Sequence, residues 1–181
     1  MTKRLTRIYT RSGDDGSTGL ADGNRLPKEH PRIEAIGCVD ELNARIGLLR
    51  ALTPEPEIDR LLENTQHRLF DLGGELALPG TEQLNEDHTL ALEQALDRLN
   101  ASLPPLDEFV LPGGNEAAAR CHLARTGCRH AERELLRLSR GEPVNSASIR
   151  YLNRLSDLLF VLARVLARSG GGSEVTWQRD S

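Results

Sequence analysis

Apolar residues recur every three or four positions in five successive stretches, and proline or glycine separates each stretch from the next. Ile33, Ile36, Val39, Leu42, Ile46 and Leu49 form the first, closed by Pro54 and Pro56. Ile58, Leu61, Leu62, Leu69, Leu72 and Leu76 form the second, ending at Pro79-Gly80. Leu90, Leu92, Leu96 and Leu99 precede Pro104-Pro105, and Ala117, Cys121, Ala124, Cys128, Leu135 and Leu138 lead to Gly141-Glu142-Pro143. The last stretch is Ile149, Leu152, Leu155, Leu158, Leu159, Leu162, Val165 and Leu166. This spacing is that of one helix face, and Pro and Gly stop helices. Five amphipathic helices with short connections predict an all-α, five-helix antiparallel bundle.

Composition supports that reading. The chain has 31 leucines in 181 residues and only 3% aromatics, which favours helices and starves a β-sandwich or barrel of its usual facing residues. No sheet is expected. We read residues 1–181 as a single domain, with a segment 1–31, a bundle 32–168 and a glycine-rich, flexible tail 169–181. No apolar run approaches the roughly 18–20 residues needed to span a bilayer, so no membrane partner is expected. The opening residues lack a hydrophobic signal core, and the three cysteines (Cys38, Cys121, Cys128) are too few and scattered for a disulfide framework or zinc site. A reducing cytoplasm fits, with the cysteines as small core hydrophobes.

Net charge is −4, a poor match for nucleic acid, but it is unevenly spread. Residues 55–108 sum to −10, against +2 before and +4 after. A local anion site is the natural inference. Several chemistries are missing: no histidine has Glu three residues before it, as a di-iron bundle needs, and there is no Gly-x-Ser-x-Gly elbow.

Three features carry positive information. Thr10-Arg-Ser-Gly-Asp-Asp-Gly-Ser-Thr-Gly19 places glycines where backbone N–H groups can approach a phosphate. It has neither Walker A nor Gly-x-Gly-x-x-Gly spacing, and alone it reads more often as a turn. Lys28, one of only two lysines against 21 arginines, lies just beyond it. Next, Arg125, Arg129, Arg133 and Arg137 stand at successive i, i+4 positions, with only Glu132 and Glu134 nearby to offset them. Stacked like charges repel, and arginine forks onto phosphate oxygens. An anionic ligand such as a polyphosphate, or carboxylates of another chain, accounts for the row better than a plain solvated face. Finally, Asn153 and Asp157 form a polar strip on a leucine-rich helix, as consistent with a contact between helices as with a site.

In order, TRSGDDGSTGL, GCVDELNARIG, FVLPGG, CRHAERE and YLNRLSDLLFVLAR resemble the blocks of the PduO-type ATP:cob(I)alamin (corrinoid) adenosyltransferases, over about residues 7–168. The resemblance implies transfer of the 5′-deoxyadenosyl group of ATP to cob(I)alamin, forming adenosylcobalamin and releasing triphosphate. It also implies a homotrimer with active sites at subunit interfaces, Mg²⁺ held largely by the ATP phosphates, and dealings with a reductase and an adenosylcobalamin-dependent enzyme. By the same resemblance Thr10, Arg11, Ser12, Gly13, Thr18, Gly19 and Lys28 wrap ATP, joined by Arg129, Glu132, Arg133 and Asn153. Asp40 matches an acid that pairs across the interface with Arg125, and Phe109 an apolar residue beneath the corrin ring. Three positions depart from the family pattern: His130 and Glu134 stand where arginine is frequent, and Cys38 where Thr or Ser is common. Two other readings are a non-catalytic carrier that delivers adenosylcobalamin, and a structural helical oligomer.

Overall fold

The computed structural model describes residues 9–53 and 55–178. Two three-residue arms, β1 (Ser17–Gly19) and β2 (Arg25–Pro27), pair antiparallel and precede five helices. These are α1 (Pro31–Arg50), α2 (Pro56–Ala77), α3 (Glu86–Asn100), α4 (Glu116–Leu138) and α5 (Ser146–Arg168). A single 3₁₀ turn, Ser169–Gly171, follows. The helices are those the apolar spacing predicts. The hairpin corrects the expectation of no sheet: its arms are too short and polar to show a strand period, and turn chemistry makes it. Asp22 accepts from the Asn24 backbone N–H at 2.9 Å, and Gly23 takes a φ of 89°, open to glycine at no steric cost.

Helix starts are capped as the sequence allows. Asn115 and Asn145 accept N–H bonds from the first turns of α4 and α5. Asn85 and His88 form a reciprocal capping box on α3, and His30 caps α1 just before Pro31. His30 and His88 thus serve at helix starts. His122 does not, being buried beside Phe160.

Helix α1 packs on α2 and α4, and α5 on α4 and α3, so α4 and α5 form the middle of the bundle. Leu152, Leu155, Leu159 and Leu162 of α5 are fully buried with Leu42, Ile46, Leu72 and Leu135. Burial of each such side chain contributes about 1.5–3 kcal/mol. All three cysteines are buried and free, as expected of small core residues. Helices α1 and α4 approach closely at Gly127, where Arg45 crosses to donate to the Leu123 carbonyl at 2.9 Å.

Two polar clusters fasten the loops at one end. Glu75, buried near the end of α2, accepts from the backbone N–H groups of Gln83 and Leu84, the Asn145 amide and the Ser148 hydroxyl. Arg32, also buried, pairs with Glu142 at 2.6 Å and donates to the Leu76 carbonyl.

The C-terminal segment corrects a second expectation. Residues 169–178 are not a loose tail: Val110 and Thr176 pair as an antiparallel bridge, and Glu174 meets Arg164 at 2.6 Å. The glycines serve direction rather than freedom. Gly170 and Gly171 adopt φ of 66° and 83°, a left-handed turn that sends the chain back along α5. Residues 179–181 of the expected tail lie outside the described residues.

Candidate active site

The predicted residues fall into three places along the molecule. The first is the N-terminal loop, a self-bonded and mostly exposed structure. Asp15 accepts from the backbone N–H and hydroxyl of Ser17, and these bonds hold its carboxyl below the usual carboxylate range. Arg25 donates to the Ser12 carbonyl and the Ser17 hydroxyl. The Lys28 backbone N–H donates to the Gly16 carbonyl at 2.9 Å. The lysine side chain thereby comes beside Gly13, where an added Cβ would lie 3.4 Å from Nζ and 3.0 Å from the Ser17 carbonyl oxygen. Thr10 and Ser12 share a hydroxyl–hydroxyl bond of 2.7 Å, and Arg11 sits at a φ of 61°, unusual for a side chain of that size. Thr18 and Gly19 lie on β1. The loop joins the bundle through the Ala21 N–H, which donates to the Ala77 carbonyl.

The second place is the outer face of α4 with the facing turn of α5. The aligned arginines do not share one fate. Glu134 is buried and takes Arg137 at 2.9 Å. Arg129 and Arg133 are exposed and make no ion pair among the described residues. Glu132 makes no ion pair with either among the described residues, and its Oε1 accepts from the Asn153 amide at 2.8 Å. Asn153 and Asp157 part company, because Asp157 pairs with Arg154 at 3.0 Å. Two guanidinium groups thus project beside a fixed carboxylate–amide pair, an arrangement able to grip phosphate oxygens with a hydroxylated ligand alongside.

The third place lies between the loop before α4, the middle of α4 and α5. Leu106, Asp107, Glu108, Phe109, Val110, Arg125 and Phe160 enclose a cavity of about 510 Å³, a size suited to a small-molecule ligand. Phe109 is 80% exposed, a large apolar surface left open beside that space. Burial first, and then the neighbouring Arg129 charge, push the Arg125 guanidinium below its usual value, though it stays charged at neutral pH. Its Nε is buried with no hydrogen-bond partner. A buried unpaired donor is costly and calls for an acceptor. Asp40 does not supply it within the chain. It lies instead on an apolar groove of α1 and α2 with Ile36, Gly37 and Phe70.

Sequence reasoning missed Phe160, which its leucine-rich helix hides as one more apolar position, and the C-terminal segment behind Phe109. Asn145, just ahead of the α5 strip, caps α5 and serves Glu75. The three positions that depart from the resembled pattern prove to be neighbours. The Cys38 sulfur is 3.8 Å from His130 Nδ1, and His130 Nε2 is 3.7 Å from Glu134. They meet where α1, carrying Cys38, packs on α4, carrying His130 and Glu134. Burial and the nearby Glu34 push the Cys38 thiol up to about 11, so it is no nucleophile at neutral pH.

Known proteins share this architecture. The family model described as Cobalamin adenosyltransferase matches residues 8–166. A protein of that name from Cupriavidus metallidurans is 55% identical over 99% of this chain and 98% of its own length. A Corrinoid adenosyltransferase from Bacillus subtilis is 41% identical over 97% of this chain and 94% of its own. Among solved structures, a phenylalanine-to-histidine variant of a PduO-type ATP:corrinoid adenosyltransferase from Lactobacillus reuteri, complexed with cobalamin and ATP, superposes with a TM-score of 0.91. It is 34% identical, over 95% of this chain and 97% of that one. With the family model covering most of its length, the chain belongs to the cobalamin adenosyltransferases.

Proposed function

We infer that the protein transfers the adenosyl group of ATP to a corrinoid. The observation that carries the reading is one helix, α4, that joins an open apolar cavity at Arg125 to unpaired guanidinium groups at Arg129 and Arg133. Those are the needs of a reaction between a flat apolar macrocycle and a polyphosphate. The cobalt(I) of the reduced corrinoid is itself the nucleophile. Its electron pair forms the bond to the 5′ carbon of ATP, the C5′–O bond breaks, and triphosphate leaves with that bond's electrons. The protein need hold no reactive serine or thiol, which agrees with the buried cysteines.

What the chain supplies is orientation and charge for the departing triphosphate. Arg129 and Arg133, with Lys28, suit the second role. The loop of Thr10, Arg11, Ser12, Gly13, Thr18 and Gly19 suits the first, with Glu132 and Asn153 aligning the nucleoside end. No three His, Cys, Asp or Glu side chains stand together among the described residues, so the phosphates of ATP would be the main ligands of Mg²⁺ rather than an all-protein cage. Phe109, with Phe160, presents the apolar wall against which the corrin's lower face rests. Excluding a lower axial ligand from cobalt makes its reduction to cobalt(I) easier.

A homotrimer completes the reading. Phe70 is 72% exposed beside Asp40, an apolar groove suited to another copy, and Arg125 holds a donor in need of an acceptor. Pairing Asp40 with Arg125 of the partner subunit satisfies both. A cytoplasmic setting, with a reductase supplying cobalt(I) and a dependent enzyme receiving the product, is part of the same proposal. No helix among the described residues is long and apolar enough to cross a membrane.

Mixing the protein with Mg-ATP and reduced cobalamin should yield the adenosylcobalamin spectrum and free triphosphate in equal amounts. Cobalamin binding without product would favour a carrier, and neither binding nor product a structural oligomer.

A further inference from the structure

Phe109 is exposed, yet its backbone is held from behind. The Trp177 N–H donates to the Phe109 carbonyl at 2.7 Å, and the Leu111 N–H donates to the Val175 carbonyl at 2.8 Å. Residues 174–177 therefore run as a strap along the loop that carries the ring. One guanidinium anchors both. Arg164 of α5, 3% exposed, donates through Nε to Glu174 Oε1 at 2.6 Å. Its Nη2 donates to the Pro104 carbonyl at 2.8 Å. Pro104 opens the loop toward Phe109 and Glu174 opens the strap, so a single side chain ties the two segments to one point on α5. Arg168 adds a second contact to Glu174 at 3.3 Å. Phe160, a wall of the cavity, lies one helical turn before Arg164, so wall and anchor share a face of α5.

We propose that Arg164 and Glu174 are positioning residues for the corrinoid, acting through the strap to hold Phe109 at the cavity. The proposal rests on the role given to Phe109 above. A loop of this length with an open aromatic would lose conformational freedom when a ligand arrives, at the expense of affinity. Bracing removes that cost beforehand. A buried ion pair is weak evidence for stability but a good means of fixing one geometry, and Arg's rigid fork fits the paired acceptors here. The turn that launches the strap is equally particular: a Cβ on Gly172 would collide with the Ala167 carbonyl.

The test compares Glu174→Ala, Arg164→Lys and Gly172→Ala with Phe109→Ala in the full-length protein, using cobalamin and ATP as probes. Gly172→Ala displaces the strap while leaving every hydrogen-bonding group in place, and so serves if a variant of the ion pair fails to fold. In all three strap variants KM for cobalamin should rise by about five- to tenfold, and KM for ATP should stay within about twofold. The spectral change of cob(II)alamin on binding should weaken as it does in Phe109→Ala. If cobalamin and ATP constants move together, or the cob(II)alamin spectrum is that of the parent protein, the strap has no positioning role. If Phe109→Ala alone alters the spectrum, the strap proposal falls and the role of Phe109 stands. If Phe109→Ala is also silent, the role of Phe109 falls and the strap proposal with it.

Discussion

The two loops proposed to meet the ligands are built on opposite plans. The N-terminal loop, residues 10–28, is polar and exposed and bonds chiefly to itself, through Asp15, Ser17 and Arg25. Among its described residues only the Ala21 N–H reaches a helix. The Phe109 loop is apolar at its tip, yet a buried arginine and a backbone ladder fasten it. On the proposed roles, the difference follows the ligands. A flexible triphosphate in water can be wrapped by many donors that rearrange around it, whereas a rigid macrocycle needs one wall at one height. Charge tolerates movement, since Coulomb energy falls slowly with distance. Packing does not, because dispersion contacts fade within a fraction of an ångström.

Four measurements would sharpen or break that contrast. The largest effect belongs to Arg129→Ala, which should lower kcat by about 10²–10³, the scale of losing a charge-stabilising donor. Near-normal steady-state adenosylcobalamin formation would remove the triphosphate role from α4. Phe109→Ala should slow conversion starting from cob(II)alamin by on the order of tenfold, or ~1.4 kcal/mol. Chemically pre-reduced cob(I)alamin should react with a smaller deficit, and equal deficits from both forms would contradict an axial-ligand role. Gly13→Ala presses a methyl group on the Ser17 carbonyl and Lys28. It should raise KM for ATP by about three- to fivefold with KM for cobalamin unchanged; an effect on cobalamin instead would dissolve the division between the loops. The smallest effect is expected from thiol alkylation at pH 8. Cys38 is pushed up to about 11 by burial and Glu34, and burial raises Cys121 and Cys128 as well. None should label within minutes in the folded protein, and activity should persist. Rapid labelling with loss of turnover would restore a thiol to the chemistry.

The helices were readable because leucine spacing and proline breaks act locally, and each helix keeps its own periodicity after packing. The site was readable in pieces. Among the described residues Arg129 and Arg133 stand unpaired as the charge count suggested, but Arg137 does not, because burial of Glu134 is a tertiary fact that no spacing reveals. Gly13 and Lys28 come together through a hairpin too short to leave a period. The Ser169–Ser173 stretch misled because glycine serves both loose linkers and left-handed turns, and only the neighbours of Gly172 decide which. Asp40 and Arg125 lie apart within one chain, so any pairing between them belongs to an assembly rather than to a sequence pattern.

Glu75 has a consequence for how the molecule breathes. Its one carboxylate gathers donors from the α2–α3 connection, the start of α5 and the turn before it. The amide hydrogens of Gln83 and Leu84 sit in a connecting segment, where exchange with solvent is ordinarily fast. Here neither can open without abandoning a buried charge, so both should exchange as slowly as the helical core. A connection between helices thereby belongs to the same cooperative unit as the helices it joins, and the bundle's end opens as a whole or not at all.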